Sequence, residues 1–162
     1  MDKHFVYHYQ APLCSIELIA SSSSLLKASC LLAAEKKEQD ENPVIREAIN
    51  QLSEYFAGKR MSFQLPLSYD SYTTFQRDVW QALSEIPYGQ TRSYQQIALD
   101  LGNPKALRAV GNTCGRNPFL IFIPCHRVVR KNGSLGGFSA GLTLKSSLLN
   151  FEESRIGGGE LR

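Results

Sequence analysis

The chain has 162 residues, 43 % of them apolar and 20 % charged. That balance excludes general disorder and fits one ordinary domain or two small ones. The net charge of +3 divides unevenly: residues 1–66 hold seven basic and eight acidic side chains, residues 67–162 eleven and seven. A basic second part suits a polyanionic partner, although an asymmetry of four charges arises as readily by chance. No uninterrupted apolar run exceeds Phe119 to Ile123, far short of a bilayer crossing, so no membrane association is expected. Met1-Asp2-Lys3-His4 lacks the apolar core of a signal peptide. The four cysteines, Cys14, Cys30, Cys114 and Cys125, contain no CxxC pair, which argues against a zinc ribbon or a redox dithiol. Reduced thiols in a cytoplasm are the expectation.

The first third reads as three strands and a helix. His4–Tyr9, Ser15–Ala20 and Leu25–Leu32 are short apolar-rich segments bounded by Pro12 and the serine run 21–24. Asn42-Pro43 places an N-cap before a proline at the first helical position. Val44, Ile45, Ala48, Ile49, Leu52, Tyr55 and Phe56 then repeat at helical spacing, which predicts a helix over about 43–57, stopped at Gly58. Pro66, Ser68, Asp70 and Ser71 mark a connector, giving a domain over 1–66 and a second over 73–155. Phe75, Val79, Leu83 and Ile86 line a helix that ends before Pro87-Tyr88-Gly89. Ser93, with Gln96 in capping-box spacing, opens the next. Gly102-Asn103-Pro104 stops that helix and starts another, Pro104 to about Thr113, giving a helix-turn-helix candidate. The small residues of this helix, with Arg108 beside them, suit either close approach to another surface or packing on a neighbouring helix. Spacing alone favours packing. Residues 156–162, with Gly157-Gly158-Gly159, are expected to be a mobile tail.

Leu120-Ile121-Phe122-Ile123 reads as a short buried strand leading into Pro124-Cys125-His126-Arg127-Val128-Val129-Arg130. A cysteine beside histidine and arginine suits a reactive thiol, because neighbouring positive charge favours the nucleophilic thiolate. A buried inert cysteine is the competing reading.

Ile123-Pro124-Cys125-His126-Arg127-Val128 resembles the active-site motif of the O6-alkylguanine-DNA alkyltransferases (methylated-DNA–protein-cysteine methyltransferases). Further matches stand in order over about 73–153. They are Ile86-Pro87-Tyr88-Gly89-Gln90-Thr91 with Ser93-Tyr94, Gly102 to Gly111, Asn117-Pro118, Gly136 to Leu142, and Lys145 with Leu148-Leu149 and Glu152. The resemblance implies an α+β protein. A small ribonuclease-H-like α/β domain with an antiparallel sheet would precede a mainly helical winged helix-turn-helix domain. It implies direct-reversal repair: an alkylated guanine, or an O4-alkylthymine, is flipped out of duplex DNA and its alkyl group moves irreversibly to Cys125.

By the same resemblance His126 takes the thiol proton through a water and Glu152 orients His126. Asn117 braces the turn at the nucleophile. Tyr94 helps rotate the nucleotide and donates to guanine N3. Ser139 lies near guanine O6, and the backbone carbonyls of Cys125 and Val128 accept from the exocyclic amine. Lys145 supports the pocket or Tyr94, its alternative being a solvated helix lysine. Arg108 fills the space left by the flipped base. Ala106, Ala109, Gly111 and Thr113 keep the second helix slim enough for the minor groove. Lys105, Arg92 and Arg116 are candidate phosphate contacts. Phe138 and Ala140 border the alkyl pocket and depart from the best-known vertebrate pattern, so the resemblance carries no expectation for groups as large as benzyl. Cys114 is read as packing. No cofactor and no metal are expected, because Cys14, Cys30, His4 and His8 do not match a known zinc spacing. A monomer bound to double-stranded DNA is expected. The competing functions are a non-enzymatic lesion sensor and a Cys–His hydrolase.

Overall fold

The structure is a computed structural model that describes residues 3–31 and 37–160, with side chains to Ile156. The chain forms two units, one from the residues up to Ser71 together with Pro118–Phe122, the other from Tyr72–Asn117 and the residues from Ile123 onward.

In the first unit β1 (Phe5–Gln10), β2 (Ser15–Ala20) and β3 (Leu25–Leu31) form an antiparallel sheet in that order. Val6 faces Ile19, and Leu18 faces Ala28 across the ladders. Period-two alternation puts Ile16, Leu18 and Ala20 on the buried face of β2. Helix α1 (Pro43–Phe56) buries the stripe Ile45, Ala48, Leu52 and Tyr55. Its start is fixed twice by Asn42. The Asn42 side-chain oxygen accepts from the Ile45 amide at 2.8 Å, and its Nδ2 donates to the Ser21 carbonyl at 2.9 Å. One side chain thus caps the helix and ties it to the end of β2.

The expected strand at Leu120–Ile123 is not a strand. Phe119 makes an isolated parallel bridge with Ala28, with Ala28 N donating to Pro118 O and Leu120 N to Ala28 O. Ile121 then adopts φ 73°, a left-handed conformation that ends any extended run. The segment is buried, as its apolar run predicts, and burial of Ile121 offsets the strain of a β-branched residue there.

The second unit is built from helices α2 (Thr74–Ser84), α3 (Tyr94–Asp100), α4 (Leu107–Gly115) and α5 (Leu142–Glu160). A short parallel pair, β4 (Arg92–Ser93) and β5 (Val128–Val129), joins them. Thr73 with Gln76, and Ser93 with Gln96, form complete capping boxes. Trp80 of α2 is fully buried, stacks edge-on with Tyr72, and donates its indole N–H to the Thr113 carbonyl of α4 at 3.1 Å.

Two boundaries differ from the expectation. Helix α4 begins at Leu107 rather than Pro104, because Ala106 N closes a turn onto Asn103 O. Helix α5 continues through Glu160 where a mobile tail was expected from 156. Ile156 packs against Gly89, where an added Cβ would collide with the Ile156 Cδ1. Residues 161–162 lie outside the described residues.

Replacing Asn42 by Ala removes the cap and the tie to Ser21, and should cost about 1–2 kcal/mol in urea unfolding. Asn42→Asp keeps the cap acceptor and loses only the donor, so it should fall between the two. Equal losses for both variants would contradict the double role.

Candidate active site

Residues Cys125–Arg127 form a single 3-10 turn, entered from Pro124 and closed by Arg127 N donating to Pro124 O at 2.9 Å. A turn with about three residues per revolution aims successive side chains in different directions, unlike the alternation of a strand. Cys125 meets Asn117, while His126 and Arg127 both reach Glu152 of α5. All three turn residues are buried. Asn117 Nδ2 is 2.8 Å from the Ile123 carbonyl and 3.0 Å from Cys125 Sγ, so one amide braces the approach to the turn and holds its thiol.

Glu152 is the centre of the buried polar network. Its Oε2 accepts from His126 Nε2 at 2.7 Å and from an Arg127 terminal nitrogen at 2.9 Å. Its Oε1 accepts from Arg127 Nε at 2.8 Å and from the Gly89 amide at 3.4 Å. The remaining Arg127 terminal nitrogen donates to Ile86 O at 2.8 Å, and the guanidinium lies over the Tyr88 ring. Burial alone would push the Glu152 carboxyl up. The hydrogen bonds and charges of His126 and Arg127 override it and hold the group ionised, well below the usual carboxylate range.

The electrostatics correct one expectation. Arg127 does not activate the thiol, because its charge is committed to Glu152. Burial instead pushes the Cys125 thiol up to about 11, against the opposing pull of the Asn117 hydrogen bond and the Lys145 charge. Burial also lowers His126, despite the opposing carboxylate. The resting pair is therefore a thiol and a neutral imidazole. An ionised carboxylate only accepts, so His126 Nε2 carries the ring proton and Nδ1 presents its lone pair. Nδ1 is buried and has no hydrogen-bond partner among the described residues.

A second cluster joins α5 to the loop after β5. Lys145 is fully buried and is no solvated helix lysine. Its ammonium donates to the carbonyls of Leu135 and Gly137 and to the Tyr94 hydroxyl, the last at 3.3 Å. Burial lowers Lys145, and burial pushes Tyr94 up to about 12, so the phenol stays protonated at neutral pH. Gly136 has φ 73°, and a Cβ there would come within 2.9 Å of the Tyr94 hydroxyl. Both conditions require glycine.

Tyr94 and half-buried Phe138 border a cavity of about 620 Å³, with Leu107, Gly111 and Gly115 of α4. Nothing lies within 4 Å of a Cβ placed on Gly111 or Gly115, so open space covers that part of the helix. Arg108, Ala109, Lys105 and Arg116 are exposed. Ala106 and Thr113 are not part of that surface: both are buried, and Thr113 gives its carbonyl to Trp80. Their small size serves helix packing. Arg92 is exposed but pairs with Asp100 at 3.6 Å. Val128 is buried in β5, Ser139 is exposed and Ala140 is half-buried. Among the described residues no group of three or more His, Cys, Asp or Glu side chains could hold a metal. None of the described helices is long and apolar enough to cross a membrane. The partnership of Arg127 with Glu152 and the cationic rim at Arg130 and Lys131 were missed from sequence. The first links residues 25 positions apart; the second was visible as adjacent basic residues.

Comparison with known proteins matches this arrangement over nearly the whole chain. Residues 74–154 match the DNA-binding domain of the 6-O-methylguanine DNA methyltransferases, and residues 6–69 match their ribonuclease-like domain. The methylated-DNA–protein-cysteine methyltransferase of Methanosarcina acetivorans is 43 % identical over 151 residues, covering 90 % of this chain and 96 % of its own. The constitutive enzyme of that name from Bacillus subtilis is 53 % identical over 116 residues, covering 71 % and 70 %. The crystal structure of the Mycobacterium tuberculosis O6-methylguanine methyltransferase superposes with a TM-score of 0.83 at 36 % identity, covering 94 % of each chain. A structure of the Mycobacterium tuberculosis protein in complex with DNA gives 0.82 at 37 %, covering 94 % and 93 %. With both domains matched in order, the chain belongs to the 6-O-methylguanine DNA methyltransferase family.

Proposed function

We propose that this chain repairs alkylated DNA directly, moving the methyl group of O6-methylguanine in duplex DNA onto Cys125. The observation that carries the reading is the buried pair Glu152–His126, with an unpartnered Nδ1, on the residue that follows the Asn117-held Cys125 in the same turn. The thiol proton passes through a water to His126 Nδ1, and Glu152 stabilises the imidazolium that forms. The thiolate attacks the methyl carbon. A C–S bond forms, the C–O6 bond breaks, and its electron pair stays with the guanine. Tyr94, raised by burial and held by Lys145, donates a proton or hydrogen bond to the leaving purine at N3. Ser139 lies near O6, and the carbonyls of Cys125 and Val128 hold the exocyclic amine. Phe138 and Ala140 border the alkyl group. O4-alkylthymine presents the same alkyl–oxygen bond and is a second substrate.

The O6 position lies inside the base stack, so the nucleotide must rotate out before transfer. The cavity beside Tyr94 receives it. Arg108 of α4 enters the stack, with Ala109 and Gly111 keeping the helix slim in the minor groove; Lys105 and Arg116 reach phosphates. No cofactor is required, because the alkyl carbon is the electrophile and the protein's own sulfur is the acceptor. The product is a thioether, which no group here reverses, so each molecule acts once. It acts as a monomer, and we place it in the cytoplasm, where a reducing environment suits its free thiols.

Incubation with duplex DNA carrying O6-methylguanine should add one methyl mass to the Cys125 peptide, with one transfer per protein molecule. Cys125→Ser should give none. Lesion binding that leaves Cys125 unmodified would support the sensor reading instead.

The pH dependence is a second test. The thiol, raised to about 11, stays protonated, and His126, lowered by burial, stays neutral below its ordinary value. The transfer rate should therefore stay nearly level from about pH 6.5 to about pH 9. A free thiolate of ordinary pKa, about 8.5, would raise the rate roughly tenfold per pH unit below that value. A rise of that kind would contradict the arrangement.

A further inference from the structure

The turn after β5 carries two cations that the reading above does not use. Arg130 and Lys131 are exposed, and both border the cavity next to Tyr94. The turn that presents them is stitched together. Arg130 N donates to Ser134 O at 2.9 Å, Gly133 N to Arg130 O at 2.8 Å, and the Asn132 side chain accepts from both the amide and the hydroxyl of Ser134. Gly133 takes φ 88°, which this closure needs. The cations are thus held at a fixed place on the rim.

Neither side chain forms an ion pair among the described residues, whereas Arg92 is tied to Asp100 and Arg127 to Glu152. Among the described residues no Asp or Glu borders the cavity. Lys145 adds a third cation, buried against the Tyr94 and Phe138 rings. Arg130 is close enough to act electrostatically on both Tyr94 and Lys145. Positive charge with no acidic partner, on the rim of a nucleotide-sized cavity, fits an anionic ligand.

The ligand's chemistry follows from the proposed reaction, on which this inference rests. A nucleotide that rotates out of the duplex takes its two flanking phosphates with it. At the cavity mouth they leave part of the counterion atmosphere that screened them. We propose that Arg130 and Lys131 form the binding site for the phosphates flanking the extrahelical nucleotide. They offset the phosphate charge only after rotation, and so favour the flipped state over the stacked one. This role is distinct from a general duplex contact, which would act on stacked and flipped DNA alike.

The test uses two duplexes carrying O6-methylguanine. One has ordinary linkages; the other has neutral methylphosphonates on both sides of the lesion. Affinity is read by fluorescence anisotropy for the wild-type protein and for the Arg130→Gln, Lys131→Gln double variant. The double variant should bind the ordinary duplex roughly tenfold more weakly, and the slope of log affinity against log salt should shrink by about two. On the neutral duplex the wild-type protein should lose about the same factor, while the variant should lose less than about twofold further. Arg130→Lys with Lys131→Arg keeps both charges and should recover most of the affinity. An equal loss on both duplexes would mark a general duplex contact and overturn the proposal, as would no loss at all or no recovery by the charge-keeping variant. The methyl mass on wild-type Cys125 is read separately. Its absence would contradict the proposed reaction, while the affinity comparison would still decide the phosphate site.

Discussion

A buried carboxylate must be answered on every lone pair it exposes, and Glu152 is answered four times. Arg127 supplies two nitrogens, His126 one and the Gly89 amide one. Leaving such a charge without partners in a low-dielectric interior would cost several kcal/mol. The network therefore dictates geometry. It fixes α5 against the turn carrying Cys125–Arg127, draws the Ile86–Gly89 segment onto the same helix, and sets the ring orientation of His126. A Cβ on Gly89 would collide with the Ile156 side chain of α5, which would have to move aside. The Cys125 thiol is placed by Asn117, while the His126 ring is placed by Glu152.

Charge is kept in two separate accounts. The Arg127 guanidinium neutralises Glu152 and leaves the thiol to its burial, so the thiol rests protonated. Lys145 pairs with no carboxylate among the described residues; its ammonium is spread over two backbone carbonyls and the Tyr94 hydroxyl. One cation thus orders the Glu152–His126 pair and the other orders Tyr94. A protonated resting thiol is also the less reactive form, because thiolates are what oxidants and stray electrophiles attack.

The sequence made local features plain and distant ones obscure. The capping box at Ser93 and the Asn42-Pro43 start of α1 are read from nearby residues, and both helices begin there; the same signal stood at Thr73 with Gln76 and was not used. The motif around Cys125 pointed through its resemblance to Asn117, Tyr94 and Glu152; the structure brings Asn117 to Cys125, Glu152 to His126 and Tyr94 to Lys145. The bond between Arg127 and Glu152 spans 25 residues and follows only from the packing of α5. The strand expected at Leu120–Ile123 failed because an apolar run reports burial, not backbone conformation, and Ile121 turns left-handed inside it. Ala106 and Thr113 looked like part of a slim outer face because small residues serve close packing as well as groove entry; burial separates the two.

The site rests on one protonation state: a neutral His126 with its proton on Nε2 toward Glu152, next to an un-ionised Cys125. Nitrogen-15 NMR of ring-labelled histidine in the DNA-free protein at neutral pH measures it directly. The His126 resonances should show a protonated Nε2 and a bare Nδ1. Two protonated ring nitrogens, the mark of an imidazolium paired with a Cys125 thiolate, would contradict it.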